Sequence, residues 1–283
     1  EVDPHAYFVN DAALTNDVWS LAAGNDTHDG RTPYTPKATL QALIDAYDLE
    51  PGDVVRVDTG TYNLTSDVLL GSDDSGSAMG YVTILGSVQG AVLNRQSTAS
   101  GANAIQLDGQ DYIRLQNLHL TGGQDGLYIS SHTKHYEIRD CAIYSNSRYG
   151  VYSPDDHFNW DTPTILLQGC LIYGNPSGGA VFATRANAST VENCTFYGNG
   201  AISLNGPKTA RNNIVYASGS GAYAVGVRSD GYTSDYNNLF ATGGAQVSSH
   251  GDLASLRTAT GQEAHSLSAD PLFASPQDGD YRL

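Results

Sequence analysis

The chain has 283 residues, enough for one large unit or two ordinary domains, and apolar residues make up 40% of it, enough for a core. Fourteen Lys and Arg stand against 30 Asp and Glu, a formal charge of −16, so the positive footprint that nucleic-acid binding needs is missing. No run is long and apolar enough to span a membrane, and no basic-then-apolar leader stands at Glu1, so a secreted protein would be present here in mature form.

In chain order, AYFVN (6–10) reads as a strand. The loop GNDTHDG (24–30) is rich in turn formers and acidic groups. Its Asn25, Asp26 and Asp29 offer hard oxygens of the kind calcium takes, though without EF-hand spacing. An Asx turn closed by its own side chains is the alternative. The one long helix is predicted over 36–48, with Thr35 as N-cap and Pro36 in the first helical position. Leu40, Leu43, Ile44 and Tyr47 share one face, as expected of a helix covering the open end of a core. PGDVVRVDTGTY (51–62), DVLLG (67–71), YVTILG (81–86) and AVLN (91–94) then read as strands.

From about 104 to 241 the chain repeats itself. LQNLHL (115–120), RDCAIY (139–144), QGCLIY (168–173), ENCTFY (192–197), RNNIVY (211–216) and YNNLFA (236–241) can be laid over one another, 19 to 29 residues apart. Their third position holds Asn117, Cys141, Cys170, Cys194, Asn213 and Asn238. A repeat this long, built of short β-type runs, is one turn of a solenoid, and a recurring small or amide residue implies a vertical ladder. The fold predicted is an all-β, single-stranded parallel β-helix with an N-terminal capping α-helix. Residues 1–62 form the cap and first strands, 63–241 the coils and 242–283 a C-terminal cap.

Each coil reads as three strands, for example GLYIS (126–130), HYEIRD (135–140) and CAIY (141–144). Gly126, Gly150, Gly179 and Gly200 are expected at the tight corners. If Cys141 points inward, so does Ile143, with equivalents Ile172, Phe196, Val215 and Phe240, while His119 breaks the pattern. Tyr144, Tyr173, Tyr197 and Tyr216 form an outer ladder that either stacks on itself or receives sugar rings. Three cysteines at one ladder position lie about 4.8 Å apart on parallel strands, with Cβ vectors that do not favour a disulfide. They are expected as reduced, buried filler. A short helix is predicted over 252–261, with Asp252 as N-cap and Gly261 as terminator, and DPLFASPQDGDYRL (270–283) is expected to close the far end.

GNDTHDG, PKATLQALIDA, PGDVVRVDTGTY, the Asn/Cys ladder, TGQEAHSLSADPLF and the terminal DGDYRL together resemble the secreted right-handed parallel β-helix repeat proteins of the pectate-lyase-like superfamily. The resemblance covers essentially the whole chain. It implies a secreted or cell-surface polysaccharide-active protein, either a monomer or a domain of a larger one. Lyases, epimerases, hydrolases and non-catalytic modules share this fold, so the activity stays open. Neither a Trp-Ile-Asp-His run nor a Gly-His-Gly is present. Tyr149-Gly150-Val151-Tyr152-Ser153-Pro154-Asp155-Asp156-His157 is similar to the Tyr-Gly-x-Asp-Pro-His motif of mannuronan epimerases, with Tyr152 where the Asp should be and Pro and His displaced.

The resemblance also implies an active site on the first-strand face and its flanking turns. The turn 153–163 lengthens its coil, and such insertions are where solenoids graft function. A uronate lyase or epimerase needs a base, an acid and a cation against the carboxylate. His157 or Lys134 would be the base, Tyr149 the acid, and Arg148 or Arg185 the clamp, with His132, Tyr128 and Tyr152 nearby. Alternatively, Asp155 and Asp156, or either with Asp161, would be the paired carboxylates of a glycosidase. A solvated loop whose Asp and His cap turns is the bland reading of these residues, and a non-catalytic carbohydrate-binding or cell-surface module of a larger protein is the other function the resemblance leaves open.

Overall fold

The computed structural model describes residues 3–130, 135–154, 164–182, 189–227, 231–276 and 279–283. Three parallel sheets wind around one core, with seven, nine and eight strands. In a complete coil the chain passes through each sheet in turn. Asp125–Ile129 lies in the seven-stranded sheet, His135–Arg139 in the nine-stranded sheet and Ala142–Tyr144 in the eight-stranded sheet. The next coil repeats the order as Tyr149–Ser153, Thr164–Gln168 and Leu171–Tyr173, each strand pairing in parallel with its predecessor. The fold is the expected parallel β-helix.

Alternation along these strands sets the core. One inward column runs Val55, Ile84, Leu115, Ile138, Leu167 and Val191, all fully buried. Another runs Leu120, Ile143, Ile172, Phe196, Val215 and Leu239. Each such side chain contributes on the order of 1.5–3 kcal/mol by leaving water.

This register corrects the ladder at both ends. Ala142 pairs with His119 and Ile214 with Asn238, so the slot of Cys141, Cys170, Cys194 and Asn213 is filled by Leu118 at one end and Asn237 at the other. Asn117 instead occupies the left-handed corner before the slot, at φ 55°, as Asp140, Gly169, Asn193, Asn212 and Tyr236 do in other coils. Asparagine suits both positions, and a one-residue slip exchanges inside for outside. His119 therefore stands beside Ala142 on the outer face, and the inward residue is Leu120. Phe240 likewise leaves the core and extends the tyrosine column beside Tyr216.

The glycines also need correction. Gly126, Gly150 and Gly179 lie inside strands at non-left-handed φ, and Gly200 is not their equivalent, since Gly178 pairs with Ile202. A Cβ on Gly150 would sit 2.6 Å from the Gly179 carbonyl oxygen and 2.8 Å from Ile172 Cγ2. The space they leave is taken by a second buried ladder, Asn146, Asn175 and Asn199. Asn175 Oδ1 accepts from Asn146 N at 3.1 Å, and Asn199 Oδ1 accepts from Asn175 N at 3.2 Å.

The N-terminal helix is much shorter than expected. Helix α1 spans Leu40–Ile44, capped by Thr39. Residues expected in its first turn are drawn into edge pairing with the strand Ala6–Val9: Lys37 N donates to Phe8 O and Lys37 O accepts from Asn10 N. Thr35, released from capping, donates its hydroxyl to Asp29. Helix α2, Leu253–Thr260, has Asp252 as N-cap and Gly261 as left-handed terminator, as expected. Beyond it Leu267 pairs with Asn238, and the tail runs back over the eight-stranded sheet. There Tyr281 packs on Tyr173 and Tyr197 at 5.0 and 5.1 Å, and Phe273 on Tyr197 at 5.7 Å. The three cysteines are free and buried.

Candidate functional site

The outer face of the seven-stranded sheet carries the tyrosines singled out by sequence. Tyr128 and Tyr152 are direct partners on adjacent coils, with ring centroids 6.0 Å apart. Tyr149 lies three residues before Tyr152 and stacks on it at 4.7 Å, with planes 23° apart. The Arg148 guanidinium sits over both rings, 4.5 Å from Tyr152 and 5.0 Å from Tyr149. An open groove of about 410 Å³ lies here, lined in part by Tyr128, Arg148, Tyr152, Asn103, Gln106 and Gln124.

Asp125 organises this corner. It is fully buried one coil below Tyr149, whose backbone N–H donates to it at 3.1 Å. Arg148 grips the same carboxylate with two N–H donors, Nε at 2.9 Å and Nη2. That bond holds the guanidinium above its ordinary pKa. Arg148 is therefore fixed by the protein, and a ligand carboxylate would have to share it with Asp125. Asn103, also buried, donates to Asp67 and to the Gly101 carbonyl, while its Oδ1 has no hydrogen-bond partner among the described residues. Sequence reasoning missed Asp125, Asn103, Gln106 and Gln124. The coil spacing could have found Asp125, which precedes Tyr149 by 24 residues.

The structure thus brings Tyr128, Arg148, Tyr149 and Tyr152 together. The other candidates, His132, Lys134, Asp155, Asp156, His157, Asp161 and Arg185, lie outside the described residues.

Asn25, Asp26 and Asp29 do not converge on a shared cavity. Asn25 Oδ1 accepts from the Thr27 N–H and hydroxyl, an Asx turn. Asp26 accepts from Ala38 N, Thr39 N and the Thr39 hydroxyl. Asp29 accepts from Arg31 N and the Thr35 hydroxyl, which hold its carboxyl below the usual range. Asn25 Oδ1, both Asp26 oxygens and Asp29 Oδ1 are thus engaged by donors of the protein itself. No group of three or more His, Cys, Asp or Glu among the described residues forms a metal cluster.

The model of the right-handed beta helix region matches residues 103–258. The chain belongs to this right-handed β-helix family. Among solved structures it is similar to pectate lyase Pel9A, with 14% identity, a TM-score of 0.52, and coverage of 97% of this chain and 84% of that one. At that identity the likeness is one of fold. No curated protein matches the chain. No helix among the described residues is long and apolar enough to cross a membrane.

Proposed function

We infer that this β-helix protein acts outside the cell on a polysaccharide that lies along the seven-stranded sheet. The observation carrying this reading is the Tyr128–Tyr152 pair, two half-buried rings on consecutive coils beside Gln106, Gln124 and Asn103. Coils are about 4.8 Å apart, close to the length of one sugar residue. A glycan chain running parallel to the axis would therefore advance about one residue per coil, past Gln106, Tyr128, Tyr152 and Val181 in turn. Aromatic rings take the apolar faces of sugars, and amides and Arg148 take their hydroxyls. The family's fold and the likeness to a pectate lyase support a polysaccharide ligand.

A lyase or epimerase reaction on a uronic-acid-containing glycan is the catalytic form of this reading. Tyr149 supports it, because its hydroxyl-bearing ring packs against Tyr152 and Arg148, both of which line the groove. It would donate a proton, with a base from outside the described residues. Without such a base the face is a binding module.

Incubation with polygalacturonate, alginate and neutral glycans, followed by ultraviolet absorbance and reducing-end assay, distinguishes the cases. An unsaturated absorbing product identifies a lyase; new reducing ends without absorbance identify a hydrolase. Retardation in glycan-containing gels with no product identifies a binding module. Failure of every glycan to be bound or altered would overturn the proposal. So would retardation by every bound glycan unchanged by Tyr152→Ala.

A further inference from the structure

The nine-stranded sheet carries a second groove, on a face unrelated to Tyr128 and Tyr152. Its outward residues fall into three columns. The first runs Tyr81, Tyr112, His135, Thr164, each aligned one residue before the pairs Val82–Ile113–Tyr136–Ile165. Tyr112 and His135 stack face to face at 4.1 Å, with planes 7° apart. On the next coil the stack would continue at Thr164, which is too short to do so. Among the described residues, one face of the imidazole is thus left toward an opening. The second column shortens at the same place, from Arg114 and Glu137 to Leu166 and Thr190. The third stays long and polar: Arg139, Gln168, Glu192, Arg211. The result is a groove of about 360 Å³, within the range of small-ligand sites, about 300–1,000 Å³.

The lining is set in place by its own bonds. Asp111 Oδ1 lies 2.8 Å from His135 Nδ1 and fixes the ring. Glu137 accepts from Arg114 at 2.7 Å and Arg139 at 2.9 Å. Glu192 accepts from Gln168 at 2.6 Å and Arg211 at 2.7 Å. Both carboxylates are already paired, so a charged ligand would have to break an ion pair to gain one. An uncharged ligand loses nothing of that kind. It can lay an apolar face on the imidazole and use the remaining lone pairs and N–H groups of the paired side chains, which bond hydroxyls strongly because they are ionised.

We propose that the groove between His135, Glu137, Leu166, Thr190, Glu192 and Arg211 is a second saccharide-binding site, selective for a neutral, hydroxyl-rich glycan. It requires neither catalysis nor the groove at Tyr152.

The test uses the full chain in affinity gels containing hydroxyethylcellulose, galactomannan or arabinoxylan, with polygalacturonate as the charged control. The first-groove variant Tyr152→Ala serves as background. In it, retardation by at least one neutral glycan should persist. Adding His135→Ala, which removes the ring, or Leu166→Arg, which fills the floor, should weaken it roughly tenfold or more. The melting temperature of each variant shows whether it remains folded, and Leu166→Arg removes none of the groups that form the ring stack and the two ion pairs. Three outcomes overturn the second site: loss of all retardation in Tyr152→Ala alone, retardation indifferent to both added changes, or retardation by polygalacturonate only. The first of these would leave the first groove standing, which separates the two proposals.

Discussion

Asn175 shows how a buried amide behaves in this architecture. Its Oδ1 accepts from Asn146 N and Nδ2, and its Nδ2 donates to the carbonyls of Ile143 and Tyr173. Replacement by Ala would strand several buried groups, each costing on the order of 1–3 kcal/mol. We expect Asn175→Ala to lower the unfolding free energy by about 3 kcal/mol or more, read as a shift of the urea midpoint. A change below about 0.5 kcal/mol, the usual scale of surface substitutions, would show that the ladder is dispensable. Asp58 makes a different demand. Burial pushes its pKa up, but backbone N–H donors from Val18, Ser20, Trp19 and Thr59 outweigh that and leave it below the ordinary value. A depressed folded pKa contributes stability that is complete above the unfolded value, about 3.9, and is lost as pH falls through the folded one. Urea midpoints should therefore drop below about pH 4, and Asp58→Asn should be less stable at neutral pH with a flatter acid limb. Asp17, next to the Val18, Trp19 and Ser20 donors, is shifted upward by burial and opposes this trend, so Asp17→Asn should steepen it. At this scale the sequence was least legible. Asn117 and Asn213 are the same residue type three positions into similar hexamers, yet one turns a corner and the other fills the core. Only hydrogen-bonded register separates them.

Elements were read well where one periodicity ruled and poorly where two competed. Helix α2 was legible because Asp252 and Gly261 bracket it and nothing else claims its backbone. Helix α1 was overread because the edge of Ala6–Val9 offers Lys37 a strand partner, a contact distant in sequence and invisible to helical periodicity. The seven-stranded sheet was legible in its tyrosines but not in Asp125, whose role depends on an arginine from the next coil. The cysteine ladder was read correctly from parallel Cβ geometry. Its thiols are 1% accessible, and burial lifts those of Cys141 and Cys170 well above the usual range. All three should resist an exchange reagent such as Ellman's in the native state and react fully in denaturant. Prompt native reaction of any one would contradict the packing. The tyrosine column of the eight-stranded sheet is covered by Phe273 and Tyr281, and burial pushes Tyr281 up to about 12. Burial also holds Tyr173 above its ordinary value, so Tyr281→Ala should expose that phenol and lower the pH at which it ionises in an ultraviolet titration.

For the whole molecule, charge sets a condition on either groove. A net −16 repels an anionic polymer until salt screens it, with a Debye length of about 8 Å at physiological ionic strength. Retardation by polygalacturonate, if it occurs, should strengthen as salt rises toward about 0.15 M, whereas that by a neutral glycan should stay level. The opposite ranking would mean that local cations dominate the field. The fold itself was the most legible feature, because a solenoid writes its period into the chain many times. Its activity was not, because a site occurs once.

The asparagine ladder has a consequence for how such a chain can lengthen. Asn146 and Asn175 each accept from the coil on one side and donate to the coil on the other, and Asn199 accepts the last of these bonds. A duplicated coil inserted between two of them would find its donors and acceptors waiting, and would pass the same offer onward. Length is therefore not dictated by the interior, which could accept another storey without revising those already built. What limits it is the terminus: the neighbouring ladder, from Cys194 through Asn213 to Asn237, ends where Glu263 and Ser266 accept its last N–H groups. Inheritance of reach, and with it the number of sugar residues a face can span, would then follow from copying rather than redesign.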